Sequence, residues 1–208
     1  LGHDVRILIP QYGTLDTDRF PLSPCLTGFR FDYPKGKASV NLNTTEAGGG
    51  IVYTLEHPQF KSGGIYGGDE LERFFFFSQA VFELLPRLSW QPDILHCHDW
   101  MTGLLVMRLK TRRPCAIVYT INNLAYQGLF DDFFINTHGL AEDWRNLPPG
   151  APSPQKSCLY LGLLYADQIT AVSETYAREI LTPQQGEGLE LLLRYRKNDL
   201  TGIVNGLS

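Results

Sequence analysis

The chain has 208 residues, 43% hydrophobic and 19% charged, with 18 basic against 22 acidic side chains and a net charge of -4. This length and composition suit one globular domain with a real core. The lack of a basic run argues against a nucleic-acid footprint, and no apolar stretch approaches the roughly 20 residues that span a bilayer.

The opening, Leu1 to Pro10, has no Met and reads as the interior of something longer, with Asp4–Pro10 a buried, β-branched strand closed by Pro10. Residues 11–50 read as loop-rich and hold Gly48-Gly49-Gly50; 50–58 reads as a second strand, ending at Pro58. A turn with four glycines follows. From Asp69 a helix begins, because Leu71, Phe74, Phe75, Ser78, Val81, Phe82, Leu85 and Leu88 recur at spacings of three and four. Phe76, Phe77 and Leu84 widen that face, so the helix should be buried on most sides, with Pro86 kinking its end.

Residues 92–100 read as a strand, 101–113 as a helix with basic residues at its negative C-terminal end, and 115–121 as another strand. An irregular insertion rich in Pro and Asp fills 131–154. Then come a helix (157–166), a strand (168–173) and a helix for which Ser173 is a good N-cap. A further helix around 186–196 and a final strand at 201–206 complete the pattern. Alternation of this kind implies parallel βαβ units and a Rossmann-like, doubly wound, mainly parallel sheet. Ligands in such sheets sit outside the carboxyl ends of the strands, so the loops His96–Gly103, Thr120–Gly128 and Val172–Thr175 carry the interest.

Several constellations have two readings. His96-Cys97-His98-Asp99 resembles a metal cluster, but Cys97 points away from the two imidazoles on a strand and no further ligand is evident. A strand end with partly buried imidazoles is expected, and no metal. Gly63-Gly64 and Gly67-Gly68 could cradle a phosphate before a helix. They lack the fingerprint spacing, and a flexible loop that lets Tyr66 reach a cleft is favoured. The Phe74–Phe82 stripe is expected in the core rather than on a partner surface. Ser173-Glu174 reads as a cap rather than a nucleophile pair. Tyr126 and Trp100 are candidates to stack on sugar CH faces. Cys25, Cys97, Cys115 and Cys158 are scattered, with no C-x-x-C pair, which suggests reduced thiols.

The stretches HCHDWMTGLL (96–105), YTINNLAYQGLF (119–130), ADQITAVSETYAREI (166–180), QQGEGLELLL (184–193) and TGIVNG (201–206), with GHDVRILIPQYG (2–13) and YGGDELERFFFFSQA (66–80), occur in this order. Together they resemble the N-terminal domain of bacterial glycogen synthases and plant starch synthases over nearly the whole chain. The resemblance implies half of a GT-B glucosyltransferase. It would transfer glucose from ADP-glucose to the non-reducing 4-OH of an α-1,4-glucan with retention, using no metal or other cofactor. It implies a single acceptor-side domain over 1–208, truncated at both ends, lacking its first strand and the C-terminal nucleotide-binding domain. A cytoplasmic location follows, or the plastid stroma in a photosynthetic eukaryote.

The catalytic positions so implied are Asn122, at the family's His position, and Asp99; the substrate-binding positions are Tyr66, His98, Trp100, Asn123, Tyr126, Gln127 and Asn205. Asp99 and Trp100 match a His-Asp-Trp motif, and Asn205 the Asn of a Gly-Ile-x-Asn-Gly hinge. The chain departs from the family where Asn122 replaces a histidine that contacts the donor glucose, and where Ser208 ends a motif that normally ends in Asp. Asn can hydrogen-bond a sugar hydroxyl but cannot become cationic, and loss of such a contact costs roughly a hundredfold or more in rate. A degenerate glucan-binding or regulatory module is therefore the alternative to an enzyme domain, with a GT-B transferase of another donor a third reading. A central strand missing from a Rossmann-like sheet would leave unpaired edges, so self-association or completion by another polypeptide is expected. No membrane partner is expected.

Overall fold

The computed structural model of the protein describes residues 2–61, 64–112 and 115–206, the side chain of 111 excepted. Leu1, Gly63 and Ser208, which the sequence reading invokes, lie outside the described residues. The chain divides into two units, Leu1–Leu84 and Leu85–Ser208.

In the first unit β1 (Arg6–Pro10), β2 (Ser23–Tyr33), β3 (Gly36–Ala47) and β4 (Gly50–Glu56) form one sheet in the order β1-β4-β3-β2. The β1–β4 pair is parallel and the other two pairs are antiparallel. The stretch expected to be loop-rich is thus mostly a long hairpin. Its strands carry Pro24, Gly28, Asn41, Asn43 and Thr44, and only Phe31, Val40 and Leu42 are buried, so the alternation that marks a strand is weak. β1 is also less buried than expected. It is an edge strand among the described residues, with Val5 and Ile7 exposed.

A single turn, α1 (Pro58–Lys61), precedes α2 (Glu70–Leu84). As the spacing implied, Phe74 to Phe77 and Phe82 are buried. The rings of Phe31 and Phe76 lie 5.8 Å apart, and those of Tyr33 and Phe75 5.7 Å, distances at which aromatic pairs attract beyond simple burial. Pro86 falls in a separate 3-10 turn, Leu85–Arg87, rather than in a kink.

In the second unit β5 (Ile94–His98) leads through a 3-10 turn, Trp100–Thr102, into α3 (Gly103–Arg112), then β6 (Ala116–Ile121). Short helices α4 (Asp132–Thr137) and α5 (Ala141–Arg145) break up the insertion that was expected to be irregular. Then follow α6 (Cys158–Tyr165), β7 (Gln168–Ala171), α7 (Glu174–Glu179), α8 (Glu190–Tyr195) and β8 (Leu200–Gly202). The strands lie in the order β5-β6-β7-β8, all parallel, the Rossmann-like arrangement that the alternation implied.

Two glycines permit the tightest packing here. A Cβ at Gly103 would come within 1.8 Å of the Cys158 carbonyl oxygen, so the N-terminal ends of α3 and α6 touch backbone to backbone. A Cβ at Gly162 would come within 2.2 Å of Tyr119 Cζ, so the phenol ring lies on the bare surface of α6. Every residue of α6 from Cys158 to Leu164 is buried. Among the described residues no helix is long and apolar enough to cross a membrane.

Candidate functional site

The site is built at the carboxyl ends of β5 and β6, where a parallel sheet presents its loops. Asp99 follows β5 and adopts φ 53°, ψ -175°, close to a region that glycine populates readily and other residues avoid. The surrounding bonds explain why it stays there. The Asp99 N–H donates to the Thr120 carbonyl at 3.0 Å. Its own carbonyl accepts from the Tyr119 hydroxyl at 2.6 Å and the Thr102 hydroxyl at 3.2 Å. Burial raises the pKa of Tyr119 well above its ordinary value, so the phenol stays a donor.

That backbone conformation aims the Asp99 carboxylate at the turn after β6. Oδ1 accepts the N–H of Asn122 at 2.8 Å and of Asn123 at 3.4 Å; Oδ2 accepts from Asn122 Nδ2 at 2.8 Å. Asn123 turns its own Oδ1 inward to the Ala125 N–H at 2.9 Å, an Asx turn. The Leu124 N–H donates to the Tyr176 hydroxyl at 3.2 Å from α7. Ser173 caps that helix as expected, its Oγ accepting from Tyr176 N–H at 3.0 Å. Burial raises the pKa of Tyr176, with Asp99 and Glu187 adding to the rise. The turn 122–125 is therefore held from two sides. Asp99 as placed is an acceptor of three loop donors, a role that shapes the turn.

The other implied positions fall differently. Trp100, proposed as an open stacking platform, is only 7% exposed. Gly128, at φ +60°, lies so close that a Cβ there would sit 2.2 Å from the indole Cε3. The 3-10 turn rotates the ring inward, and Trp100 is a wall rather than a platform. Tyr126 is 68% exposed and keeps the geometry of a stacking residue. The Gln127 amide nitrogen donates to the Glu187 carbonyl at 2.9 Å, so it is engaged with the α7–α8 connection.

His96 and His98 lie on one face of β5 with ring centroids 4.4 Å apart; both residues are exposed overall, while the His96 ring keeps partial burial against Thr120. His96 Nε2 lies 2.6 Å from Thr120 Oγ1, which lies 2.6 Å from Thr170 Oγ1, a polar row across three strands. Partial burial and then His98 hold the His96 imidazole below its usual range. Cys97 is buried on the opposite face and its thiol is pushed up to about 12, mainly by that burial. Among the described residues no group of three or more His, Cys, Asp or Glu side chains is placed to hold a metal.

Asn205 is exposed beyond β8, where the Ile203 N–H donates to the Ala171 carbonyl at 2.8 Å. In the order of the sheet β8 is three strands from β5, so Asn205 is not brought to the Asp99 turn by strand adjacency. Tyr66, in the first unit, is 66% exposed on a loop that Arg73 anchors from α2. The Arg73 guanidinium donates to the Gly64 carbonyl at 2.9 Å and the Gly67 carbonyl at 2.7 Å.

The sequence reading did not single out Tyr119, Tyr176, Gln155, Glu187 or Arg73. Only Glu187 carried a local signal, its place between Gly186 and Gly188.

The starch synthase catalytic domain family model matches residues 1–195. The glycogen synthase of Gloeobacter violaceus is 42% identical over 213 residues, covering all of this chain and 43% of that protein. The glycogen synthase of Desulforamulus reducens is 38% identical over 216 residues, 99% of this chain and 45% of that protein. The catalytic domain of starch synthase IV from Arabidopsis thaliana, solved bound to ADP and acarbose, superposes with a TM-score of 0.87 at 29% identity. That match covers 99% of this chain and 45% of the plant chain. The chain thus spans less than half the length of the relatives it matches, and the half of a GT-B fold expected from the resemblance is the fold found. The chain belongs to the starch synthase catalytic domain family.

Proposed function

We propose that this chain is the acceptor-side part of an ADP-glucose-dependent glucosyltransferase, and that by itself it binds α-1,4-glucan without turning over. In the reaction the bond from glucose C1 to the ADP β-phosphate oxygen breaks and a bond from C1 to O4 of the terminal acceptor glucose forms. The hydroxyl proton is lost and the anomeric configuration is kept. No metal or other cofactor is required by this reading. It places the protein in the cytoplasm, or in the plastid stroma if its source is a photosynthetic eukaryote.

The observation that carries the reading is the Asp99–Asn122 clasp at the end of two parallel strands in a chain of this family. Asp99, Asn122, Asn123 and Tyr126 would form the sugar-facing turn, with His98 beside it and Trp100 and Gln127 as its supports; Asn205 and, within the first unit, Tyr66 are separate candidate sugar contacts. The clasp also says what Asn122 keeps and lacks. Its Nδ2 donates to Asp99 Oδ2, the bond that an imidazole Nδ1–H would make from the same position. What asparagine lacks is the second ring nitrogen pointing outward. Asn122 thus retains the architecture of the turn and gives up its reactive end, which favours the second reading, a glucan-binding module without chemistry.

The test uses labelled ADP-glucose and glycogen with the 208-residue chain. Retardation of the chain in glycogen-containing gels with no incorporation of label is the expected result. Incorporation by the chain alone overturns the inactivity, and migration unaffected by glycogen overturns the glucan reading. Asn122→His, assayed in a polypeptide that carries the remaining half of the fold, should raise incorporation by roughly a hundredfold if position 122 withholds that much. An unchanged rate there overturns this account of position 122.

The edges β1 and β5 each have a single partner strand among the described residues, and Val5, Ile7 and Ile94 are exposed on or beside them. We expect concentration-dependent self-association through such edges. A monomer by light scattering at all concentrations, with a sharp thermal transition, rules this out.

A further inference from the structure

The connection between α7 and α8 is gripped by two glutamines in a way that the sugar-site residues already named do not explain. Segments 127–130 and 155–159 run antiparallel. The Phe130 N–H donates to the Lys156 carbonyl at 2.9 Å, Cys158 N–H to the Gly128 carbonyl at 3.0 Å and Leu159 N–H to the Gln127 carbonyl at 3.0 Å. From one segment Gln127 gives its amide N–H to the Glu187 carbonyl at 2.9 Å; from the other Gln155 gives its amide N–H to the carbonyl of the next residue, Gly188. Both carbonyls belong to left-handed residues, Glu187 at φ 49° and Gly188 at φ 78°. Two successive residues of that kind form no regular element, and a glutamate seldom adopts the conformation unaided.

The bracket fixes where the Glu187 side chain leaves the backbone. That side chain is exposed. The bond from Gln127 to its carbonyl sets the Glu187 backbone against the segment that continues the Asn122–Ala125 turn. Glu187 is thereby one hydrogen bond from Gln127, the residue that follows exposed Tyr126 in the chain. A carboxylate in that place has the chemistry to accept two hydroxyls of one glucose unit, beside an aromatic face that packs on its CH groups.

We propose that Glu187 is a glucan-binding residue that accepts sugar hydroxyls at the rim of this turn, and that Gln155, with Gln127, is a positioning residue holding it there. The inference rests on the glucan reading proposed above.

The test separates backbone from carboxylate. Glu187→Gly relieves a left-handed position while removing the carboxylate, so the chain should be at least as stable to urea yet bind maltoheptaose more weakly, by about three- to tenfold, the range of one or two lost hydrogen bonds. Gln155→Met removes the amide donor at similar volume and should weaken binding by a similar factor. Because Gln155 acts through Glu187, the double variant should bind no more weakly than Glu187→Gly alone. Calorimetric titration with maltoheptaose reads all three. Unaltered affinity in Glu187→Gly, or losses that multiply in the double variant, overturn the inference while leaving the glucan reading intact. An unsubstituted chain that does not bind maltoheptaose overturns both.

Discussion

The glycine loop of the first unit and the turn after β6 in the second are each fixed by one charged side chain, with opposite sign and at different depth. Arg73 is 4% exposed and takes hold of two carbonyls, those of Gly64 and Gly67, so that Tyr66 hangs from the segment between them. Asp99 is half-buried and takes hold of the N–H groups of Asn122 and Asn123 plus one side-chain amide. The cation sits in regular helix geometry, and its strain is electrostatic: a guanidinium removed from water whose hydrogen bonds go to neutral carbonyls. The anion keeps contact with water, and its strain lies in the backbone. One loop is held through desolvation and the other through conformation, and the two should respond to different substitutions.

The largest effect is expected at the cation. Arg73→Met leaves two carbonyls without charge-assisted bonds worth about 1.5–3 kcal/mol each, partly offset by release of the buried charge. A net loss of about 3 kcal/mol in urea unfolding of the first unit should follow, with faster hydrogen exchange in 64–68. A loss below about 1 kcal/mol would mean that the loop does not depend on the guanidinium. At the anion, Asp99→Ala removes the two oxygens that accept three hydrogen bonds and keeps the unfavourable dihedral, for about 2 kcal/mol. Asp99→Gly removes the same acceptors and relaxes the dihedral, so it should be about 1 kcal/mol more stable than the alanine variant. Equal stabilities of the two would remove backbone strain from the account of this turn.

Asn122→Asp sharpens the comparison from the partner's side. It sets a second carboxylate against Asp99, which raises the titration of the pair in the folded state above that of the unfolded chain. A pair raised in this way favours folding at low pH and opposes it as pH rises through the folded value. The variant should therefore lose on the order of 1 kcal/mol at pH 7 and recover most of it near pH 4, followed by denaturation across that interval.

The smallest effect concerns the imidazoles. Burial lowers the titration of His57 in the first unit, where its ring stacks on Phe76 at 4.2 Å, and of His96 in the second, with His98 adding to the latter. A histidine lowered on folding stabilises fully above its unfolded value of about 6.5 and loses that contribution as pH falls through the folded value. Acid unfolding should begin below about pH 6.5, and His57→Gln should flatten that limb for the first unit. An unaltered acid limb in that variant assigns the loss to other groups.

The second unit was the more legible in the sequence, because its strands are short apolar runs separated by capped helices; Ser173 before Tyr176 announced α7 correctly. The first unit was less so. β2 and β3 form a ribbon whose polar and glycine residues mask the period of two, and its register shifts between Pro24 and Leu26 and between Leu26 and Phe29 break it further. At the site, the family motifs located Asp99 and Asn122 but not the contact between them, which depends on β5 and β6 lying side by side in register. Burial of Trp100 was equally hidden, since the direction of its ring follows from the 3-10 turn and from a glycine 28 positions away. Gln127 was read for its polarity, and only the fold shows that its amide faces another loop.

The bare surface of α6 reaches further than its own core. Tyr119 lies on Gly162 with its ring and donates its hydroxyl to the Asp99 carbonyl, so a single phenol links a buried helix to the Asn122–Ala125 turn. One extra methyl group at position 162 would push that lever from behind. Gly162→Ala should therefore alter the environment of Asn122 and Asn123, seen as shifted amide resonances in the turn, although position 162 itself touches neither residue.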